Sequence, residues 1–150
     1  MKTRWWILMA IAVIIASAFA QAEAQQLAPA APKVVAKVSL ATQTMNVYVD
    51  DTLLHSWSVS TARRGYKTPP GSYAPYLLDR NHHSRLYNNA PMPYSVFFRG
   101  NYAVHGTTDH KHLGQPASHG CVRLLIENAR ILYTLVQQHG KENTRIVIES

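Results

Sequence analysis

From Val34 onward, apolar and polar side chains alternate with a period of two. Val34, Ala36, Val38 and Leu40 alternate with Val35, Lys37 and Ser39, and Met45, Val47 and Val49 alternate with Asn46, Tyr48 and Asp50. Successive side chains of a strand point to opposite faces, so this period predicts two strands. Asp50-Asp51 predicts a turn into a third strand over 53–61, where Leu53, His55, Trp57, Val59 and Thr61 make a greasy face opposite Leu54, Ser56, Ser58 and Ser60. Gly65, Pro69, Pro70 and Gly71 punctuate the middle, and 72–78 reads as a short strand. Residues 79–93 show no periodicity, which predicts a mobile or functional loop. Strand composition returns over 94–99 and 102–105 around a tight Gly100-Asn101 turn, and loop composition follows from 106 to 120. Helical spacing occurs at Leu125, Ala129, Leu132 and Val136, with Gly140 where a C-cap is expected, predicting one α-helix over about 124–139. A last strand is predicted over 144–149. These elements predict a mainly β, β-sandwich-like domain with one α-helix in its C-terminal half.

The front of the chain follows another pattern. Residues 5–20 hold one hydroxyl residue, Ser17, and no charge, behind Lys2 and Arg4. A short basic stretch, an apolar run and the small-residue sites Ala18-Phe19-Ala20 and Ala22-Glu23-Ala24 predict a signal peptide over 1–24, cleaved after Ala20 or Ala24. The apolar run falls just short of the roughly 20 residues that span a bilayer, so an uncleaved membrane tether is the competing reading. Residues 25–33 form an Ala/Pro linker, and 34–150 form the folded domain. A periplasmic or cell-envelope location is expected.

The chain has 150 residues, the size of one domain, and a formal net charge of +7, which loss of Lys2, Arg4 and Glu23 lowers by one. Such a field attracts anionic partners, and outside the cytoplasm cell-wall polymer is one. The longest run of Lys or Arg is the Arg63-Arg64 pair, too little for a nucleic-acid patch, so no nucleic-acid partner is expected.

The chain has one cysteine, Cys121. Exported domains that use cysteine structurally carry it in pairs, so a solitary one is an intermolecular bridge, a buried bystander or a reactive thiol. Its surroundings favour reactivity: residues 105–123 read H-G-T-T-D-H-K-H-L-G-Q-P-A-S-H-G-C-V-R. An imidazole activates a thiol by accepting its proton or, as imidazolium, by lowering its pKa. His119, two residues before Cys121, and His105, at a strand end, both qualify, and the residues alone leave the choice open. Gly120 lets a substrate carbonyl approach the backbone, so the N–H groups of Gly120 and Cys121 are expected to hold an oxyanion. A zinc site built from His105, His110, His112, His119 and Cys121 is disfavoured by spacing and because bound zinc would quench the nucleophile.

His105-Gly106-Thr107, Leu113-Gly114 and Ser118-His119-Gly120-Cys121-Val122-Arg123-Leu124 together resemble the signature of the L,D-transpeptidase catalytic domain, or YkuD domain. Thr61 followed by Gly65, Thr68-Pro69-Pro70-Gly71 and Met92-Pro93-Tyr94 resemble further blocks of that family in its order, so the likeness spans 34–149. It implies a β-sandwich enzyme of peptidoglycan biosynthesis that uses no metal or organic cofactor. Cys121 would be the nucleophile that attacks the L,D-amide of a donor stem peptide, expels D-alanine and forms a thioester. His105 would be the proton donor and acceptor, oriented by the backbone carbonyl of Gly106, with His119 in support. Ser118, Arg123, Tyr94 and Tyr102 would contact substrate, Ser118 also shaping the turn.

The partners implied are donor and acceptor stem peptides, a wall-anchored protein as another acceptor, and carbapenem-type β-lactams as covalent inhibitors. A monomer is expected. Water as acceptor would give a carboxypeptidase, cleavage of an existing tether an amidase, and an incidental thiol a non-catalytic wall-binding domain. No wall-binding module is recognisable before the domain, so wall attachment is expected from the cleft, the charge or a partner.

Overall fold

The structure is a computed structural model that describes residues 32–150; the predicted signal peptide and all but the end of the linker lie outside the described residues. Among the described residues, nine strands form two sheets. The first has the order β3-β2-β1-β9-β4, from β1 (Val34–Ser39), β2 (Thr44–Val49), β3 (Thr52–Ser58), β4 (Gly71–Tyr73) and β9 (Thr144–Glu149). The second has the order β5-β6-β7-β8, from β5 (Leu77–His83), β6 (Pro91–Arg99), β7 (Tyr102–Thr107) and β8 (Val122–Leu125), and one helix, α1, covers Ile126–His139.

The period-two reading of β1 and β2 becomes a buried face. Val34, Ala36, Val38, Met45 and Val47 are fully buried, while Lys37 is exposed. Asp50 and Asp51 both take left-handed φ, 46° and 64°, the conformation that lets a two-residue turn match strand twist. β1 pairs antiparallel with β2 and parallel with β9, so the two ends of the domain lie side by side at the centre of the sheet. Both sheets and α1 supply one core cluster, which includes Val38, Val47, Val96, Val104, Leu124, Leu132 and Ile146.

Several boundaries differ from the sequence reading. The expected third strand, 53–61, stops at Ser58. Beyond it Ser60 and Ala62 bridge to Arg123 and Ser118, so this stretch carries the chain from the first sheet to the second. β3 itself is an edge strand, with Leu53 and Leu54 about half exposed, which the alternation alone does not reveal. The single strand expected over 72–78 is two strands in different sheets, broken at 74–76 around Pro75, which has no N–H to give a ladder.

The loop expected over 79–93 is mostly a hairpin: β5 runs to His83, a short turn follows, and β6 starts at Pro91. β5 is a mostly exposed edge strand, so nothing forces its side chains to alternate. Pro91 and Pro93 pair with β5 in a stretch where β7, whose register with β6 begins at Val96, makes no demand on their missing N–H groups. The helix begins two residues later than expected because 122–125 is claimed by β8, and Leu125, placed on its buried face by spacing, is exposed. Ala129, Leu132 and Val136 are buried as the spacing predicts, and the Gly140 N–H caps the helix on the Val136 carbonyl, at φ 93°.

Candidate active site

Two neighbouring strands collect the chemistry. β7 and β8 are parallel, with Val104 opposite Val122 and His105 opposite Arg123, so Cys121 arrives beside Ala103, near the start of β7. His105 and Cys121 line the same cleft of about 800 Å³.

The His105 ring is buried, and its Nδ1 lies 2.8 Å from the carbonyl oxygen of Gly106. A carbonyl only accepts, so Nδ1 donates and Nε2 keeps its lone pair. Burial lowers the pKa of this histidine to about 4, against the Gly106 bond, and the charges of Arg123 and His82 push the same way as burial. The Cys121 thiol donates to the Asn101 carbonyl at 3.6 Å. Burial raises its pKa, opposed by the Ala103 N–H and the nearby Arg123. At neutral pH the resting pair is therefore a neutral thiol and a neutral imidazole.

The turn that presents Cys121 is held from within and from behind. Ser118 Oγ donates to the Cys121 carbonyl at 2.6 Å and accepts from the Gly120 N–H at 3.0 Å. Thr68 Oγ1 donates to the Gly120 carbonyl at 2.7 Å and accepts the Ala62 N–H at 3.0 Å. Thr61 supplies its carbonyl to the N–H groups of Ala117 and Ser118. The Thr61 and Thr68-Pro69-Pro70-Gly71 blocks thus act as a scaffold for the turn that carries Cys121.

Gly120 has φ 140°, and a Cβ there would stand 2.5 Å from the Tyr102 ring, so a side chain at this position would strain the backbone and displace the ring. A Cβ on Gly106 would stand 2.9 Å from the backbone of Ile126, where β7 meets the start of α1.

The expected site residues divide as follows. His105, Gly106, Ser118, His119, Cys121, Arg123 and Tyr102 all line the cleft. Ser118 is buried with its hydroxyl committed to the turn, so it serves as a brace more than as a substrate contact. The Gly120 N–H, expected at the oxyanion, is occupied by Ser118 Oγ, which leaves the Cys121 N–H as the candidate donor. Tyr94, expected to contact substrate, does not line this cleft: its ring packs on Tyr133 of α1 with Arg80 above it, and its backbone takes φ 55°. The reason is that β6 turns this side chain toward the helix, which a motif in one dimension does not register.

His119 is clamped between rings, stacked on Tyr87 with centroids 4.2 Å apart and edge-on to Tyr66 at 4.7 Å. Arg123 approaches Asp109 at 3.7 Å, and Asp109 is bonded to His112. Among the described residues no three His, Cys, Asp or Glu side chains are grouped so as to hold a metal ion. Motif and spacing assign none of these roles to Thr68, Asn101, Tyr66, Tyr87 or Asp109. Thr68 carried a signal in its Thr-Pro-Pro-Gly block, whereas Asn101 and Tyr87 act through a turn carbonyl and a ring contact that leave no mark on spacing.

The family model for the L,D-transpeptidase catalytic domain, YkuD, matches residues 33–148. This chain belongs to the YkuD family. Solved L,D-transpeptidases share its fold. One from Mycobacterium tuberculosis H37Rv is 23% identical with a TM-score of 0.70, over 79% of this chain and 58% of that one. One from Stackebrandtia nassauensis is 27% identical with a TM-score of 0.70, over 82% and 58%. L,D-transpeptidase 3 from Mycobacterium tuberculosis, solved with a faropenem-derived adduct, is 21% identical with a TM-score of 0.68, over 79% and 61%. The YkuD chain described here therefore spans 58% of the length of the first two. No curated protein matches its sequence.

Proposed function

We propose that the protein is an exported L,D-transpeptidase that acts on peptidoglycan stem peptides through a thioester on Cys121. The observation that carries this reading is the His105 ring, tied at Nδ1 to the Gly106 carbonyl with Nε2 unprotonated, in one cleft with the sole cysteine. Because both groups rest neutral, Nε2 acts as a general base during attack rather than as half of a standing ion pair. The sulfur adds to the donor amide carbonyl while its proton passes to Nε2. The C–N bond then breaks, the proton goes to the departing D-alanine nitrogen, and a thioester remains. The Cys121 N–H holds the oxyanion, and each such donor is worth about 3 kcal/mol of barrier. His119 supports this arrangement from the turn. Arg123 and Tyr102 receive the stem peptide, Arg123 pairing with a carboxylate.

An amine then attacks the thioester, its N–C bond replacing the C–S bond, and the proton returns through His105 to sulfur. A stem amine gives a cross-link and a wall-protein amine a tether. Export to the periplasm or cell envelope rests on the pattern of residues 1–24, with a membrane tether where that segment is kept. β-Lactams acylate the same sulfur, a reading supported by the relative solved with a faropenem-derived adduct. The working unit is a monomer with no cofactor.

Intact-mass measurement during incubation with a tetrapeptide muropeptide tests this. Wild type gains the acyl mass, releases D-alanine and forms a cross-linked product when an acceptor is added, and Cys121→Ala does none of these. Equal turnover by the two proteins rejects the enzyme reading, and a trimmed product alone reassigns it to carboxypeptidase activity. Activity lost to a chelator and restored by zinc would overturn the cofactor-free reading.

A further inference from the structure

One wall of the cleft takes no part in the chemistry assigned to His105 and Cys121. It is the turn between β5 and β6, residues 84–90, which contributes Leu86, Tyr87 and Asn88 to the lining. The turn is braced from within. Ser84 Oγ accepts the N–H groups of Leu86 and Tyr87, the Ala90 N–H meets the Tyr87 carbonyl, and the Ser84 N–H meets the Ala90 carbonyl. It therefore behaves as one unit, and Tyr87 joins that unit to His119 in the nucleophile turn by a near-parallel stack, 11° between planes. Tyr66 holds the other side of His119 edge-on, with the Arg63 guanidinium 5.0 Å over the Tyr66 ring. Two other segments thus meet on one imidazole two residues from the nucleophile.

We propose that His119 and Tyr87 form a positioning pair that pins the 84–90 turn over the cleft and so decides whether the Cys121 thioester is taken by an amine or by water. The inference rests on the thioester reading and deepens it, assigning His119 a role as a ring rather than as a proton carrier. His105 is positioned by a hydrogen bond to a carbonyl, His119 by two aromatic faces. Desolvation, followed by the charges of Arg63 and Arg123, lowers the pKa of His119, which favours the neutral ring against Tyr87.

The chemistry explains why a wall matters here. With an amine, the N–C bond forms, C–S breaks, and the proton travels through His105 Nε2 to the sulfur. With water, an O–C bond forms instead and the product is a carboxylic acid. The two routes share every catalytic group, so their ratio depends on what the cleft admits and holds, which is the work of its walls.

Partition measurements on Tyr87→Ala, Tyr87→Phe, His119→Ala and His119→Phe test the pair, with a tetrapeptide muropeptide as donor and an amine-bearing muropeptide as acceptor. The ratio of hydrolysed to transferred product is expected to rise about tenfold or more in the two alanine variants, as the wall loosens, and to return most of the way to wild type in the two phenylalanine variants. NMR supplies a readout independent of turnover: the ring protons of His119 carry an upfield shift from the Tyr87 face, lost in Tyr87→Ala and kept in Tyr87→Phe. An unchanged ratio in Tyr87→Ala, or a His119→Phe protein as impaired as His119→Ala, overturns this inference alone. A wild-type protein that never acylates at Cys121 overturns the thioester reading and this inference with it.

Discussion

Two turns face each other across the cleft, and they are held by different forces. The turn that carries Cys121, residues 118–121, is braced inside by the Ser118 hydroxyl and fastened to its surroundings by the Thr68 hydroxyl and the Thr61 carbonyl. The opposing turn, residues 84–90, bonds to itself, and its tie to the nucleophile turn is a pair of stacked rings at the rim, with Tyr87 itself exposed. Buried hydrogen bonds are directional and costly to lose, whereas a surface stack tolerates sliding. The contrast is that of a cysteine turn held by directional bonds beside a wall held to it by a ring contact.

The largest effect expected on the rigid side concerns the charge state of His105. Its pKa falls from 6.5 to about 4 on folding, so between those values the unfolded chain binds a proton that the folded chain refuses. Stability therefore drops as pH falls through that window, by about 3 kcal/mol in total, and levels off below it. Urea unfolding from pH 7 to pH 4 should show this loss in wild type, and His105→Gln should lack most of it; an identical profile in both proteins would break the assignment. Close behind in size, His105→Ala should slow acylation by a carbapenem about a hundredfold or more, roughly 2.7 kcal/mol of barrier. A larger loss in His119→Ala would exchange the roles of the two histidines.

Thr68→Val sharpens the comparison by removing one hydroxyl that serves two backbone groups, one in a buried bond and one in a part-buried bond. About 2 kcal/mol of stability should go, with slower acylation measured by stopped flow, because the Gly120 carbonyl and Ala62 N–H are left unpaired. Ser84→Ala on the other turn removes two accepted bonds closer to solvent and should cost about 1 kcal/mol or less. Should Ser84→Ala slow acylation as much as Thr68→Val, the distinction between a held centre and a compliant wall would be wrong. The smallest effect is expected at the tip, where Leu86 is 64% exposed and Leu86→Ser should change the unfolding free energy by under about 0.5 kcal/mol.

The elements that read well in one dimension are those whose burial is one-sided. β1, β2 and α1 each press one face on the core, so a period of two or of 3.6 is imprinted on their residues. β5 is an edge strand with little to bury, and Asp79, Asn81 and His83 lie there without cost, which is why the hairpin read as a loop. The break at Pro75 was equally hidden, because the chain changes sheets without changing composition.

At the site, the sequence by itself determined the chemistry on offer: one thiol, two histidines close enough in motif to serve it, and glycines where the backbone must pass closely. Those are properties of side-chain type, and a string of residues carries them whole. Only the tertiary structure decided how the histidines differ, giving His105 a carbonyl and a buried pocket and His119 two tyrosine rings. It also turned Tyr94 away from the cleft and brought Thr68 under Gly120, fifty-two residues along the chain. Orientation and desolvation arise from neighbours distant in sequence, and both set the protonation state on which the proposed reaction depends.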